Sequence, residues 1–281
     1  MIRHLGKAIL PIAAVFSALA AQQASAAAPQ SLTAPAVTYP DLADLADSAP
    51  LVLRAQLSRL ARVEPERAPG VRPGWGRFYA EAETGALLSG DALVGETLRY
   101  LVDLPLDSRG KPPRLIRKPA LLFAAPVAGK PGELRLVAPD AQVPWDAVSE
   151  ASLRAILTEL VSPGAPARVT GVREAMHVPG ELAGEGETQI FLATRDGSAA
   201  SIAVTRHAGT APNWGVSFSE VLDTSSQPQR ETLRWYRLAC FLPAALPPGS
   251  NLSDGSAAQA QAQTDYRLVI DALGPCPRNR S

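Results

Sequence analysis

The stretch Leu98–Leu104, Leu-Arg-Tyr-Leu-Val-Asp-Leu, constrains this chain most. Leu98, Tyr100, Val102 and Leu104 fall on one side; Arg99, Leu101 and Asp103 fall on the other. Apolar side chains at every second position define a strand with one buried face, because successive side chains point to opposite faces of a sheet. Neighbouring segments repeat the period. In Arg77–Leu88, Phe78, Ala80, Ala82, Thr84, Ala86 and Leu88 alternate with Arg77, Tyr79, Glu81 and Glu83. Leu51–Val63 opens with Leu51, Leu53, Ala55 and Leu57, then slips at Leu60 as a bulge would make it. A helix with Leu53, Leu57, Leu60 and Ala61 on one face is the rival. Ala120–Val127 is almost continuously apolar, the pattern of a strand buried on both faces. Glu133–Val137, with Leu134 and Leu136 inward, supplies a fifth strand. The expectation is one small antiparallel sheet or barrel with Leu98–Leu104 at its centre.

Ahead of these strands, the first 26 residues read as a secretory signal peptide. Arg3, His4 and Lys7 make a positive start, Ala8–Ala20 is a mostly apolar run of thirteen residues, and Ala24-Ser25-Ala26 supplies a small-residue cleavage site. A bilayer takes about 20 apolar residues, and no later stretch offers them, so no membrane span is expected. Cleavage near Ala26 places the mature chain in the periplasm or outside the cell. The chain carries 27 basic and 27 acidic side chains; the signal removes only Arg3 and Lys7, leaving a net of −2. Near-neutral charge argues against a dedicated nucleic-acid binder. Cys240 and Cys276 are the only cysteines, and in an oxidising compartment they predict one disulfide. Residues 27–38, dominated by Ala, Pro, Ser and Gln, read as a disordered lead-in.

Asp41–Ala49 predicts a short helix or turn. A helix capped by Asp146 or Ser149 runs to about Val161, where Pro163-Gly164 stops it. Beyond it, Glu174–Val178, Thr188–Thr194, Ser201–Arg206 and Trp214–Phe218 read as strands, with Asp196-Gly197 as a hairpin signal. Glu231–Phe241 reads helical, Pro247–Gln263 as a low-complexity mobile linker, and Tyr266, Leu268 and Ile270 as a last strand pinned by the disulfide. The fold class is therefore mainly β with α: a five-stranded antiparallel barrel-like domain with a capping helix at residues 39–162, then an α+β unit at 163–281.

Few residues suggest chemistry. Arg109, Lys111, Arg114, Arg117 and Lys118 put five positive charges in ten residues with no acid among them. That loop is a candidate anion-binding edge, or simply a solvated connection. Glu181, Glu185 and Glu187 lie on a glycine-rich segment without the Asp-x-Asp-x-Asp-Gly order of a calcium loop. His177 and His207 have no metal-ligand spacing. Gly215-Val216-Ser217-Phe218-Ser219 is not a G-x-S-x-G nucleophile elbow.

Five strands and a capping helix, opening on Ala49-Pro50-Leu51-Val52-Leu53-Arg54-Ala55-Gln56-Leu57, resemble the OB-type barrels of secreted netrin-like domains, which include the tissue inhibitors of metalloproteases. The resemblance spans Leu51–Val161 and implies an OB-like barrel. Those inhibitors use an amino-terminal cysteine; here no cysteine precedes Cys240, so neither inhibition nor any functional residue carries over. The expected function is that of a non-catalytic envelope binding or interaction protein, its partner an anionic envelope component or another envelope protein, with no cofactor or metal. The alternative is a periplasmic hydrolase using His177 and the Glu181–Glu187 loop. A histidine within reach of a buried carboxylate and a hydroxyl, in a cleft, would favour the alternative.

Overall fold

The computed structural model describes Met1 and residues 37–91, 94–219 and 226–280. The signal segment beyond Met1 and most of the lead-in lie outside the described residues. The described residues from 37 onward belong to one compact unit, and among them the fold is mixed, with two antiparallel sheets and four α-helices.

Helix α1 (Tyr39–Ser48) begins with a capping box, in which Thr38 accepts the Asp41 N–H and Asp41 accepts the Thr38 N–H. The reciprocal pair satisfies two helix-end donors that have no intrahelical partner. Strands β1 (Leu51–Arg62), β2 (Trp75–Ser89), β3 (Thr97–Pro105), β4 (Pro119–Pro126), β5 (Leu134–Leu136) and β6 (Gln142–Pro144) follow. The slip at Leu60 is real: β1 pairs with β2 through shifts at Val52/Leu53, Arg54/Ala55 and Leu57/Arg59. Residues 120–124 of β4 are buried in succession, as the continuous apolar run requires. Leu51, Leu53, Leu57, Leu121, Leu122 and Phe123 are fully buried, each contributing about 1.5–3 kcal/mol relative to exposure.

The expected centre of this sheet is misplaced. Its order is β3-β2-β1-β4-β5, with β6 on β4, so Leu98–Leu104 belongs to a terminal strand and β1 is central. Alternation reports a buried face, and an edge strand possesses one as fully as a central strand does. The sheet curls without closing into a ladder. β3 meets the far end through one parallel bridge, Arg99 with Glu133, and two backbone bonds, Arg99 N–H to Gly132 O at 2.8 Å and Asp103 N–H to Pro139 O at 2.7 Å.

Asp146 caps α2 (Ala147–Leu160), accepting from the Val148 and Ser149 amides. Strands β7 (Val169–Pro179), β8 (Gly186–Thr194), β9 (Ser201–Arg206) and β10 (Asn213–Ser217) form a meander in the order β10-β9-β8-β7. The β8–β9 connection holds Gly197 at φ 77, a left-handed conformation that glycine adopts without a Cβ clash.

Two expectations for the last third are overturned. After α3 (Leu233–Ala239), helix α4 spans Gly255–Leu273. It replaces both the final strand at Tyr266–Ile270 and most of the proposed linker. The buried positions are Ala262, Asp265, Tyr266, Val269 and Leu273, three- and four-residue steps that only a helix brings to one face. The Ala/Gln run supplies good helix formers rather than a tether. The disulfide is present: Cys240 at the α3 C-cap joins Cys276 just beyond α4, with Cα atoms 5.2 Å apart.

Distant segments meet at α1. Arg237, 3% exposed, makes a bidentate pair with Asp47 at 2.8 and 2.9 Å. Arg278 donates to Asp44, and the Asn279 and Arg280 amides both donate to Asp41. No helix among the described residues is long and apolar enough to cross a membrane.

Candidate functional site

The incomplete closure of the first sheet makes the most distinctive concavity. Between the Gly132 and Pro139 anchors the β5 side runs seven residues, whereas Arg99 to Asp103 on β3 runs four. A cleft of about 560 Å³ lies along this seam, and its lining includes Tyr79, Leu101, Val127, Leu134, Leu136 and Val137. Gly132 sets its upper end. The residue sits at φ 79, and a Cβ there would lie 2.7 Å from Thr97 O. Only glycine lets the chain approach β3 closely enough to accept the Arg99 N–H.

Charge around the seam is uneven. On β2, Arg77 grips Asp103 of β3 at 2.7 and 2.8 Å, and the Asp103 hydrogen bond keeps the Arg77 guanidinium protonated above its ordinary range. The Tyr100 hydroxyl donates to Gln142 at 2.7 Å, and burial pushes the phenol pKa up. Arg99 and Arg135 also line the cleft, are exposed, and have no ion-pair partner among the described residues. Nearby carboxylates are engaged elsewhere: Glu81 with Arg59 and Glu133 with Lys130. The seam therefore has apolar walls and two guanidinium groups outside any ion pair, with Glu81 and Glu133 standing cross-strand from Arg99.

A second hollow of about 450 Å³ adjoins it, sharing Asp103 and residues 137–139. Its charges are mutually satisfied. Asp140 takes Arg72 at 2.9 Å and Arg280 at 2.8 Å, and Arg72 stacks 4.0 Å from the Trp75 ring centre.

The residues singled out in the sequence lie apart from the seam. Arg109, Lys111, Arg114, Arg117 and Lys118 are all exposed and line neither cleft. Asp107 organises the first half of their loop by accepting the Arg109 and Lys111 amides, and Leu57 exchanges backbone bonds with Arg117 and Lys118 in the second.

His177 belongs to a sealed polar array. Its Nδ1 lies 2.8 Å from the Thr188 hydroxyl, which donates to Asp265. Arg206 and Gln261 also donate to Asp265. With the Thr188 proton directed at the carboxylate, the hydroxyl oxygen accepts from His177 Nδ1–H. Burial pushes the imidazole pKa below its ordinary value; Asp265 opposes that shift and Arg206 reinforces it. His177 and Asp265 are 7% and 0% exposed and line neither cleft. Glu181, Glu185 and Glu187 are not brought to the imidazole, whose partners are Thr188 and Asp265. His207 is exposed. Among the described residues no group of three His, Cys, Asp or Glu side chains is arranged to hold a metal.

Sequence reasoning missed the seam because it depends on unequal lengths of two chain segments between shared anchors. Arg99 and Leu101 were legible only as the outward positions of a strand. No protein-family model and no curated protein matches the chain.

Proposed function

We propose that this is an extracytoplasmic, non-catalytic binding protein whose ligand site is the seam between β3 and β5, taking a partly apolar ligand with an anionic group. The observation that carries the proposal is a mostly apolar cleft of about 560 Å³ lined by the exposed guanidinium groups of Arg99 and Arg135. Mostly apolar clefts of roughly 300–1,000 Å³ with a few oriented polar groups are the usual form of ligand sites. The Cys240–Cys276 disulfide supports an oxidising compartment. The strand order, with β3 and β5 meeting at the seam, supports the resemblance to OB-type barrels. The basic loop at Arg109–Lys118 is a competing anion site, with charge but no concavity.

Isothermal titration with laurate and with a capped acidic hexapeptide tests the proposal. At least one probe should bind, and Arg99→Ser/Arg135→Ser should weaken it about tenfold or more, an effect that shrinks as salt screens the charges. Arg114→Ser/Arg117→Ser/Lys118→Ser should leave binding unchanged. Loss in the loop variant alone would move the site to the loop, and absence of binding by every anionic probe would overturn the proposal.

A further inference from the structure

We propose that the outer face of the second sheet, at β7, docks an amphipathic helix of a partner protein. That helix is apolar along one side and carries lysine or arginine at the end that meets Glu185 and Glu187. The surface belongs to the other sheet from the seam, and its residues line neither cleft.

β7 has two faces of opposite character. Val169, Ala175 and His177 are buried, whereas Met176 and Val178 alternate with them and are exposed. Residues directly opposite on paired strands share a face. The register sets Gln189 of β8 opposite Met176, Glu187 opposite Val178, and half-buried Phe191 opposite Glu174. A further row comes from the segment between α3 and α4. Asn251 bridges Ala175 in parallel, with Ala175 N–H on Ser250 O and Leu252 N–H on Ala175 O. Alternation therefore puts Leu252 on the outer face beside Met176. Met176, Val178 and Leu252 are 43%, 54% and 55% exposed. Single exposed apolar side chains are ordinary on a protein surface, but adjoining ones on one face mark an interaction surface. Methionine, flexible and polarizable, suits such a surface.

Charge selects the occupant. Glu187 stands beside Val178. The ladder continues past Pro179 and Gly186, with Gly180 N–H on Glu185 O, so Glu185 shares the face of Glu187. A Cβ on Gly180 would lie 2.7 Å from Glu185 Cβ, as two positions turned to one side require. Glu187 accepts from the neutral Gln189 amide, which leaves its charge uncompensated. Neither Glu185 nor Glu187 makes an ion pair among the described residues. The other end of the patch is balanced, because Arg173 pairs with Glu174 at 3.4 Å and lies over the Phe191 ring. An apolar patch with carboxylates at one end complements an apolar stripe with cations at one end.

The form of the occupant follows from the edge. At Ala175 and His177 the β7 edge is already taken by residues 250–253, with His177 N–H on Ser253 Oγ, so a partner must lie on the face. Leu252, β7 and β8 make three rows, about 10 Å across at roughly 4.8 Å per strand. A helix is about 10–12 Å wide, and helical partners present apolar anchors at i, i+3, i+4 and i+7. An anionic lipid surface would be repelled by the same carboxylates.

The test uses the purified protein, methyl-labelled at methionine, and capped fluorescein-tagged peptides of about 14 residues, roughly 21 Å as a helix. One peptide carries Leu at the anchor positions and Lys on its flanks; a second has Glu in place of Lys, and a third Ser in place of Leu. Binding is read by anisotropy. The Leu/Lys peptide should bind about tenfold or more tightly than either control, since the match needs both apolar area and charge. It should also shift the Met176 methyl resonance, distinguishable because Met1 and Met176 are the only methionines. Glu185→Gln/Glu187→Gln should weaken binding about tenfold, an effect that shrinks as salt screens the charges. Met176→Ser/Leu252→Ser should weaken it comparably at every salt concentration; the wild-type methyl signal decides the matter should that variant fold poorly. No binding of the Leu/Lys peptide, equal binding of either control, or binding without a shift at Met176 overturns the proposal. So does self-association that shifts the Met176 signal with no peptide present, which would give this face to a second copy.

Discussion

Replacing both cysteines, Cys240→Ser/Cys276→Ser, should destabilise the protein through its unfolded state. The disulfide closes a loop of sequence separation 36, and chain entropy assigns such a loop about 4 kcal/mol at 25 °C. In a domain of about 150–250 residues each kcal/mol moves Tm by roughly 2–4 °C, so the full effect is a fall of about 8–16 °C. The native state should change little, because the carboxy-terminal segment has independent anchors. Arg278 holds Asp44, the Asn279 and Arg280 amides hold Asp41, and Arg280 holds Asp140 at 2.8 Å. Urea unfolding should show a lower midpoint, with m unchanged or slightly raised as the uncrosslinked chain exposes more surface. Reduction of the wild-type protein should reproduce the shift, and denatured, unreduced protein should titrate no thiol. A loss under about 1 kcal/mol would refute the loop-closure argument. So would a variant whose tail has left α1 in the folded state, since the cost would then be native contacts.

Three further outcomes follow from the array around Asp265. Asp265→Ala should cost about 3–5 kcal/mol in urea unfolding, because it strands the buried Thr188 hydroxyl and the partly buried Arg206 guanidinium; Asp265→Asn, which keeps the acceptor oxygen, should cost less. Gly186→Ala should cost about 1–3 kcal/mol by overpacking, since its Cβ would lie 2.7 Å from His177 Cε1 and 2.9 Å from Val178 O, and His177→Ala should relieve part of that loss. The buried imidazole disfavours its proton relative to the ordinary value of 6.5, so below that pH the unfolded chain binds more protons. Stability should be full above pH 6.5 and fall as pH drops through 6.5 toward the lower folded-state pKa; Tm measured against pH should be flatter in that window for His177→Gln, and an unchanged slope would count against the buried neutral histidine.

What the sequence carried was local period; what it lacked was neighbourhood. Phe78, Ala80 and Ala82 on one strand and Leu98, Tyr100 and Val102 on the next revealed two buried faces, all of them realised. The same alternation could not say that β3 ends the sheet. Tyr266, Leu268 and Ile270 also alternate, yet Leu268 and Ile270 are only partly buried, and Asp265 and Val269 face the interior. Three residues satisfy either period by chance, and the Ala/Gln run before them was the stronger clue to a helix. β6 is three residues long and left no periodic trace. The His177, Thr188 and Asp265 contacts join β7, β8 and α4, so no spacing along the chain announces them.

The tail contacts on α1 also bear on the order in which the molecule can assemble. The helix is the first described element to be synthesised, while the groups that satisfy it come much later: Arg237 of Asp47 is 190 positions away, Arg278 of Asp44 is 234, and the Asn279 amide of Asp41 is 238. Such pairings raise the contact order, which slows folding, and Asp47 gains its guanidinium partners, Arg168 and Arg237, before residues 278–280 reach Asp44 and Asp41. A product truncated before Arg278 would leave Asp41 with the Thr38 amide and Asp44 with the Tyr236 hydroxyl but without the donors of residues 278–280, a helix more loosely held and more open to proteolysis. Residues 278–280 thus become a condition for fully locking α1.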